Sequence, residues 1–194
     1  VGSQLALYHY LTAKGRNATM ISPNKLQEFL KWMDGVDSIK IFTVQRKECI
    51  KLIAEASLIV FLDFNQQNRL GEAEQYVVRS ASKKVIIDHH QEPKDMADLI
   101  ISDTSKCSTT ELIYELIKDI EEKPFRNIHF SEAIYVGIIT DTGNFEHGSY
   151  TGRTLNIVAD LLETGIEKER IHNLIYNNYS ESRMRLLGYA LNER

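Results

Sequence analysis

Two apolar runs constrain this chain more than any other feature: SLIVFLDF at 57–64 and KKVIID at Lys83–Asp88. A strand with one wet face alternates apolar and polar residues. A run that stays apolar until its last positions belongs to a strand covered on both faces, as in a parallel sheet wrapped by helices. The surrounding pattern agrees. Residues 4–14 are helical by their apolar spacing (Leu5, Tyr8, Leu11) and stop at Gly15. Residues 18–21 form a short strand before Pro23, 25–33 a short helix, 39–43 a strand and 46–56 a helix. A helix follows at 72–81, and 98–102 is the candidate fifth strand. From there the pattern is helical, at 109–122, 131–139, 154–163, 169–177 and 181–192. These repeated strand–helix units predict an α/β fold. Its parallel, Rossmann-like, doubly wound sheet has about five strands flanked by helices and is followed by a helical segment. At 194 residues the chain can bury a sizeable core.

Charge and composition narrow the function. Hydrophobic residues at 43% and charged residues at 26% are ordinary for a globular protein. A net charge of −4 without a Lys/Arg block argues against binding long duplex DNA. It leaves room for a small anionic substrate held through metal. No apolar run approaches the roughly 20 residues needed to cross a membrane. The opening VGSQLALYHYL lacks the basic start of a signal peptide. Cys49 and Cys107 are far apart and in no CxxC spacing, so the expectation is a reduced, cytoplasmic protein. A start at Val1 reads as a fragment, and the charged helix SESRMRLLGYALNER reads as a connector.

The chemistry gathers where apolar segments end. Ligands in open parallel sheets bind beyond the carboxyl ends of the strands. Asp63 closes the first run, Asp88-His89-His90 closes the second, and VGIITDTGNF leads into Asp141, Thr142 and Gly143. If the two strands are neighbours, these groups converge. Carboxylates with one imidazole suit Mn²⁺ or Mg²⁺ better than Zn²⁺. Successive residues of an extended strand point to opposite faces, so one histidine can bind metal while the other meets substrate. Each residue also has a plain reading: an Asp after a strand as a turn or helix cap, Asp141-Thr-Gly as a turn, a His pair as surface. The coincidence of three such endings favours metal.

These residues resemble the DHH phosphoesterase superfamily. The DHH triplet, the Asp63 strand and the TDTG of residues 140–143 carry the resemblance, with ISPN and CSTTELIYEL as supporting segments. Within it, the chain is most similar to the nanoRNase and pAp phosphatase branch, which includes exopolyphosphatase-related proteins. RecJ exonucleases and family II inorganic pyrophosphatases are more distant. The resemblance implies two Mn²⁺ ions, with Mg²⁺ or Co²⁺ as substitutes, that activate a water for attack on phosphorus. It implies that Asp63 bridges the metals, that His89 and Asp141 ligate one of them, and that His90 contacts substrate phosphate. Asp88 becomes the partner that orients the histidines. Ser108 and Thr109 resemble a phosphate-contacting segment at a helix start. The family's HxxxDxDAxGS motif is matched only by its tail, Val1-Gly2-Ser3. Residues 1–179 then form the DHH catalytic domain without its first ligand motif. Residues 180–194 form the linker helix towards a C-terminal DHHA1-type domain, and the fragment itself is expected to be weak or inactive.

The resemblance implies hydrolysis of short oligoribonucleotides or pAp, with a short RNA or nucleotide phosphate as partner. A homodimer is compatible with it. The alternatives are a cyclic-dinucleotide phosphodiesterase, a polyphosphatase or pyrophosphatase, and a non-catalytic nucleotide-binding module. His147 and Tyr150 either line the pocket or belong to a loop. Cys107 either has its pKa lowered at a helix N-terminus or is a small residue in a tight turn. His9, His129, His172, Trp32, Arg183 and Arg185 read as packing, capping or solvated residues.

Overall fold

The computed structural model describes residues 1–64, 66–91, 96–148, 150–179 and 181–192. Pro93, just beyond the histidine pair, and Ser180, Glu193 and Arg194 of the expected linker lie outside the described residues. The chain opens with α1 (Gly2–Ala13) and continues through β1 (Ile21–Ser22), β2 (Lys40–Ile41), α2 (Arg46–Glu55), β3 (Leu58–Leu62), α3 (Glu74–Arg79), β4 (Lys83–Asp88) and β5 (Leu99–Ser102). Five helices follow: α4 (Thr109–Ile120), α5 (Ile128–Asp141), α6 (Gly152–Leu162), α7 (Lys168–Tyr176) and α8 (Glu181–Asn192). No helix among the described residues is long and apolar enough to cross a membrane.

β3, β4 and β5 pair in parallel with β4 central, and Leu62 sits opposite Ile87 and Asp88 opposite Ser102. Alternate residues serve opposite faces, as a strand dictates. Ile87, Leu62 and Ile101 join the core under α1, α4, α5 and α6. Ile86, Phe61 and Ile100 join a second core with Cys49 and Ile53 of α2 and Val77 of α3. Both faces are therefore covered, which is why these strands read as unbroken apolar runs.

The expected sheet of about five strands comes instead as two parallel sheets, β1–β2 and β3–β4–β5. Side-chain amides close the outer edges of the small sheet. Lys40 and Phe42 donate their N–H groups to the carbonyls of Met20 and Ser22, so the N–H of Ile41 faces the other way and is taken by Gln45 Oε1 at 3.1 Å. On the far side, the carbonyl of Ile21 accepts from Gln4 Nε2 at 2.8 Å. These groups are satisfied without a neighbouring strand.

Two expected helices are altered. The segment 25–33 forms only a 3-10 turn at Glu28–Leu30, with another at Val36–Ser38. Leu30, Met33, Val36 and Ile39 are buried at a spacing of three, the 3-10 repeat rather than 3.6. The helix expected at 72–81 is α3 alone, preceded by 3-10 structure at Gln67–Ala73 that kinks at Gly71. α5 is longer than expected, and Asp141 is its last residue.

Candidate metal centre

The site lies at the carboxyl ends of β3 and β4, closed on one side by the end of α5. Asp63 leaves β3 in a left-handed conformation (φ 62°), with its N–H held by the carbonyl of Ile87 at 3.1 Å. A non-glycine residue at positive φ is strained, and such residues concentrate at functional sites. His89 follows β4. A carbonyl can only accept, so the 3.2 Å contact between His89 Nδ1 and Lys106 O makes Nδ1 the protonated nitrogen. The lone pair then resides on Nε2, 3.6 Å from Asp63 Oδ1 and 4.0 Å from Asp141 Oδ2. An imidazole fixed through one nitrogen with the other facing carboxylates is the usual arrangement of a metal-ligating histidine.

His90 is placed differently. Its Nδ1 lies 2.8 Å from Oδ1 of Asp88, a fully buried residue, and 3.8 Å from Asp63 Oδ1. An ionised carboxylate only accepts, so His90 Nδ1 donates to Asp88 and leaves Nε2 for another partner. The two imidazoles are neighbours, with ring centroids 4.5 Å apart. Ligand atoms of Asp63, His89 and His90 fall within 4.8 Å of one another. The nitrogen that His90 turns towards Asp63 is already committed to Asp88, so His89 is the better donor.

Electrostatics point the same way. The carboxyl of Asp141 is pushed up to about 6 by partial burial and then by the charge of Asp63. A cation between the two would relieve that repulsion. Two carboxylates and a free imidazole nitrogen match a hard or borderline divalent ion such as Mn²⁺. The residues present fit the metal.

The layer behind the site is polar and closed. Ser108 caps α4 by accepting the N–H of Glu111 at 3.1 Å, and its hydroxyl also meets that of Thr110 at 2.8 Å. Thr109 donates to Asp63 Oδ1 at 3.0 Å. The structure thus gives both hydroxyls protein partners, and both side chains are buried. Glu111 accepts from the N–H of Cys107 at 2.9 Å and from Thr154 Oγ1 at 3.1 Å. Cys107 is not activated by its place before the helix. Burial first, and the Glu111 carboxylate next, push its thiol up to about 12.

After Asp141 the chain makes a turn through Gly143, Asn144 and Phe145, all at positive φ. His147 lies against Gly143, where an added Cβ would come within 3.0 Å of its ring. The Tyr150 ring meets Phe145 edge-on at 5.5 Å. Both residues sit beside the Asp141 turn and are exposed. His9 is packed, with Nε2 3.1 Å from the Asp34 carbonyl, and Arg170 lies 5.2 Å over the Trp32 ring.

Sequence reasoning missed the Lys106 carbonyl behind His89 and the role of Glu111. The latter had a signal: Ser108-x-x-Glu111 is the spacing of a capping box. Here the Glu side chain reaches the N–H of Cys107, one residue before the cap.

Comparison with known proteins identifies the family of this chain. The DHH family, N-terminal domain, matches residues 1–138. A solved exopolyphosphatase-related protein from Bacteroides fragilis superposes with a TM-score of 0.95 at 39% identity, over 99% of this chain and 56% of that one. The bifunctional oligoribonuclease and PAP phosphatase NrnA of Bacillus subtilis is 32% identical over 63% of this chain and 38% of its own length. The protein of the same name from Thermus thermophilus is 25% identical over 98% of this chain and 54% of its own length. The chain spans about half or less of the curated relatives it matches.

Proposed function

The chain belongs to the DHH family, and we propose that it is the metal-bearing part of a phosphoesterase acting on short oligoribonucleotides or pAp. The observation that carries this reading is that the free Nε2 of His89 lies 3.6 Å from Asp63 Oδ1 and 4.0 Å from Asp141 Oδ2. In this reading residues 1–179 form the catalytic domain, and 180–194 connect it to a C-terminal DHHA1-type domain. Asp63, His89 and Asp141 would hold a divalent ion, and Asp63 would also serve the second ion of a Mn²⁺ pair. Divalent ions there would neutralise phosphoryl oxygens and acidify a water for attack on phosphorus. Asp88 orients His90 for contact with a substrate phosphate. The Lys106 carbonyl keeps the proton of His89 on Nδ1, so Nε2 stays a ligand. The NrnA relatives support a short-RNA or pAp substrate.

A second reading, hydrolysis of polyphosphate, is supported by the name of the Bacteroides neighbour. A screen of the full-length protein with Mn²⁺ against short oligoribonucleotides, pAp, polyphosphate, pyrophosphate and cyclic dinucleotides separates the substrates. The expected result is release of mononucleotides from the RNA, or of phosphate from pAp, abolished by His89→Ala. If none of these substrates is cleaved, the catalytic reading falls and a nucleotide-binding module takes its place.

A further inference from the structure

We infer that Thr109 is a positioning residue for the metal centre, holding the Asp63 carboxylate in the orientation that faces His89. The inference rests on the metal reading of the site and deepens it.

Asp63 sits where the backbone alone leaves its side chain poorly fixed. It lies just past the last paired residue of β3, at positive φ, with its side chain 40% exposed. Its backbone is tied to β4 through the Ile87 carbonyl, but that bond does not set the rotation of the carboxylate. The hydroxyl of Thr109 does. It donates to Asp63 Oδ1 at 3.0 Å. A carboxylate oxygen has two lone-pair directions, so one can take this hydrogen bond while the other faces the imidazoles.

Thr109 is itself packed on all sides. Only 1% of it is exposed, and it is the first residue of α4, immediately after the Ser108 cap. Glu111, two residues on, is bonded to the Cys107 backbone and to Thr154 of α6. The donor therefore belongs to a rigid helix start, and the acceptor to a strained strand end. Rigid polar groups behind a ligand are what hold ligands in register, and their loss typically weakens metal binding about 10- to 100-fold. A buried hydroxyl already committed to Asp63 is poorly placed to serve substrate phosphate as well.

Thr109→Ser keeps the hydroxyl and loses the methyl; Thr109→Ala loses both. The comparison isolates the hydrogen bond, because packing loss is common to both variants. Mn²⁺ titration by calorimetry on the full chain, with melting temperatures in chelator alongside, should give Ser an affinity within about twofold of wild type. Ala should be weaker by roughly tenfold, with both chelator-treated variants folded. A purely structural threonine would lower the melting temperature of both variants and leave their Mn²⁺ affinities alike; equal affinities for Ser and Ala overturn the inference. If the wild-type chain takes up no Mn²⁺, the metal reading fails first and this inference fails with it.

Discussion

Asp63, bonded to the first residue of α4, and Cys107, just before the cap of that helix, acquire opposite characters. Asp63 accepts a left-handed backbone, a strain on the order of 1 kcal/mol, and sits half-exposed where a cation can reach it. Cys107 is buried, and a thiol raised to about 12 stays neutral at pH 8. The sign is unambiguous: a raised thiol pKa lowers the thiolate fraction, and thiolate is the reactive form. Native protein treated with an alkylating reagent at pH 8 should therefore leave Cys107 unmodified, while unfolded protein should react at both cysteines. Labelling of native Cys107 at the rate of a free thiol would contradict this. At this scale the DHH triplet was legible because an apolar run ended in three polar groups. The bond from Thr109 to Asp63 was not, because it joins residues 46 apart that meet only after β3 and α4 come together.

Among the elements, β3 and β4 were readable because coverage on both faces leaves a continuous apolar signature. The break between the two sheets was not, and the amides of Gln4 and Gln45 that take up the outer backbone groups of the small sheet are marked by no periodicity. The segment 25–33 was misread as helix because Phe29, Trp32 and Met33 stand at i, i+3 and i+4, the spacing of a helical stripe. Helix–helix contact depends on a single small residue. A Cβ at Gly137 of α5 would lie 2.3 Å from Thr110 Cγ2 and 2.8 Å from its Cβ, so α4 and α5 approach closely only because Gly stands there. Gly137→Ala should destabilise the fold by about 1–3 kcal/mol through overpacking, seen as a lower midpoint in urea. Adding Thr110→Ala should recover part of the loss, since contacting residues couple. Equal midpoints for wild type and Gly137→Ala would refute the close packing.

At the scale of the whole molecule, a chain of net charge −4 is proposed to act on anionic phosphoesters. Among the described residues its site brings Asp63 and Asp141 together rather than lysines or arginines, and bound cations would supply the attraction for such a substrate. The two cores fix this geometry: one holds α4 and α5 against β4, the other holds α2 and α3 against its opposite face. α8, by contrast, carries no buried residue and exposes Leu186, Leu187 and Leu191. The central claim is that the strand ends and the end of α5 form a metal centre. Anomalous X-ray scattering at the manganese edge, from crystals soaked in Mn²⁺, tests it most directly. A peak is expected within bonding distance of Asp63, His89 Nε2 and Asp141; manganese bound elsewhere, with these three side chains unliganded, would rule this centre out.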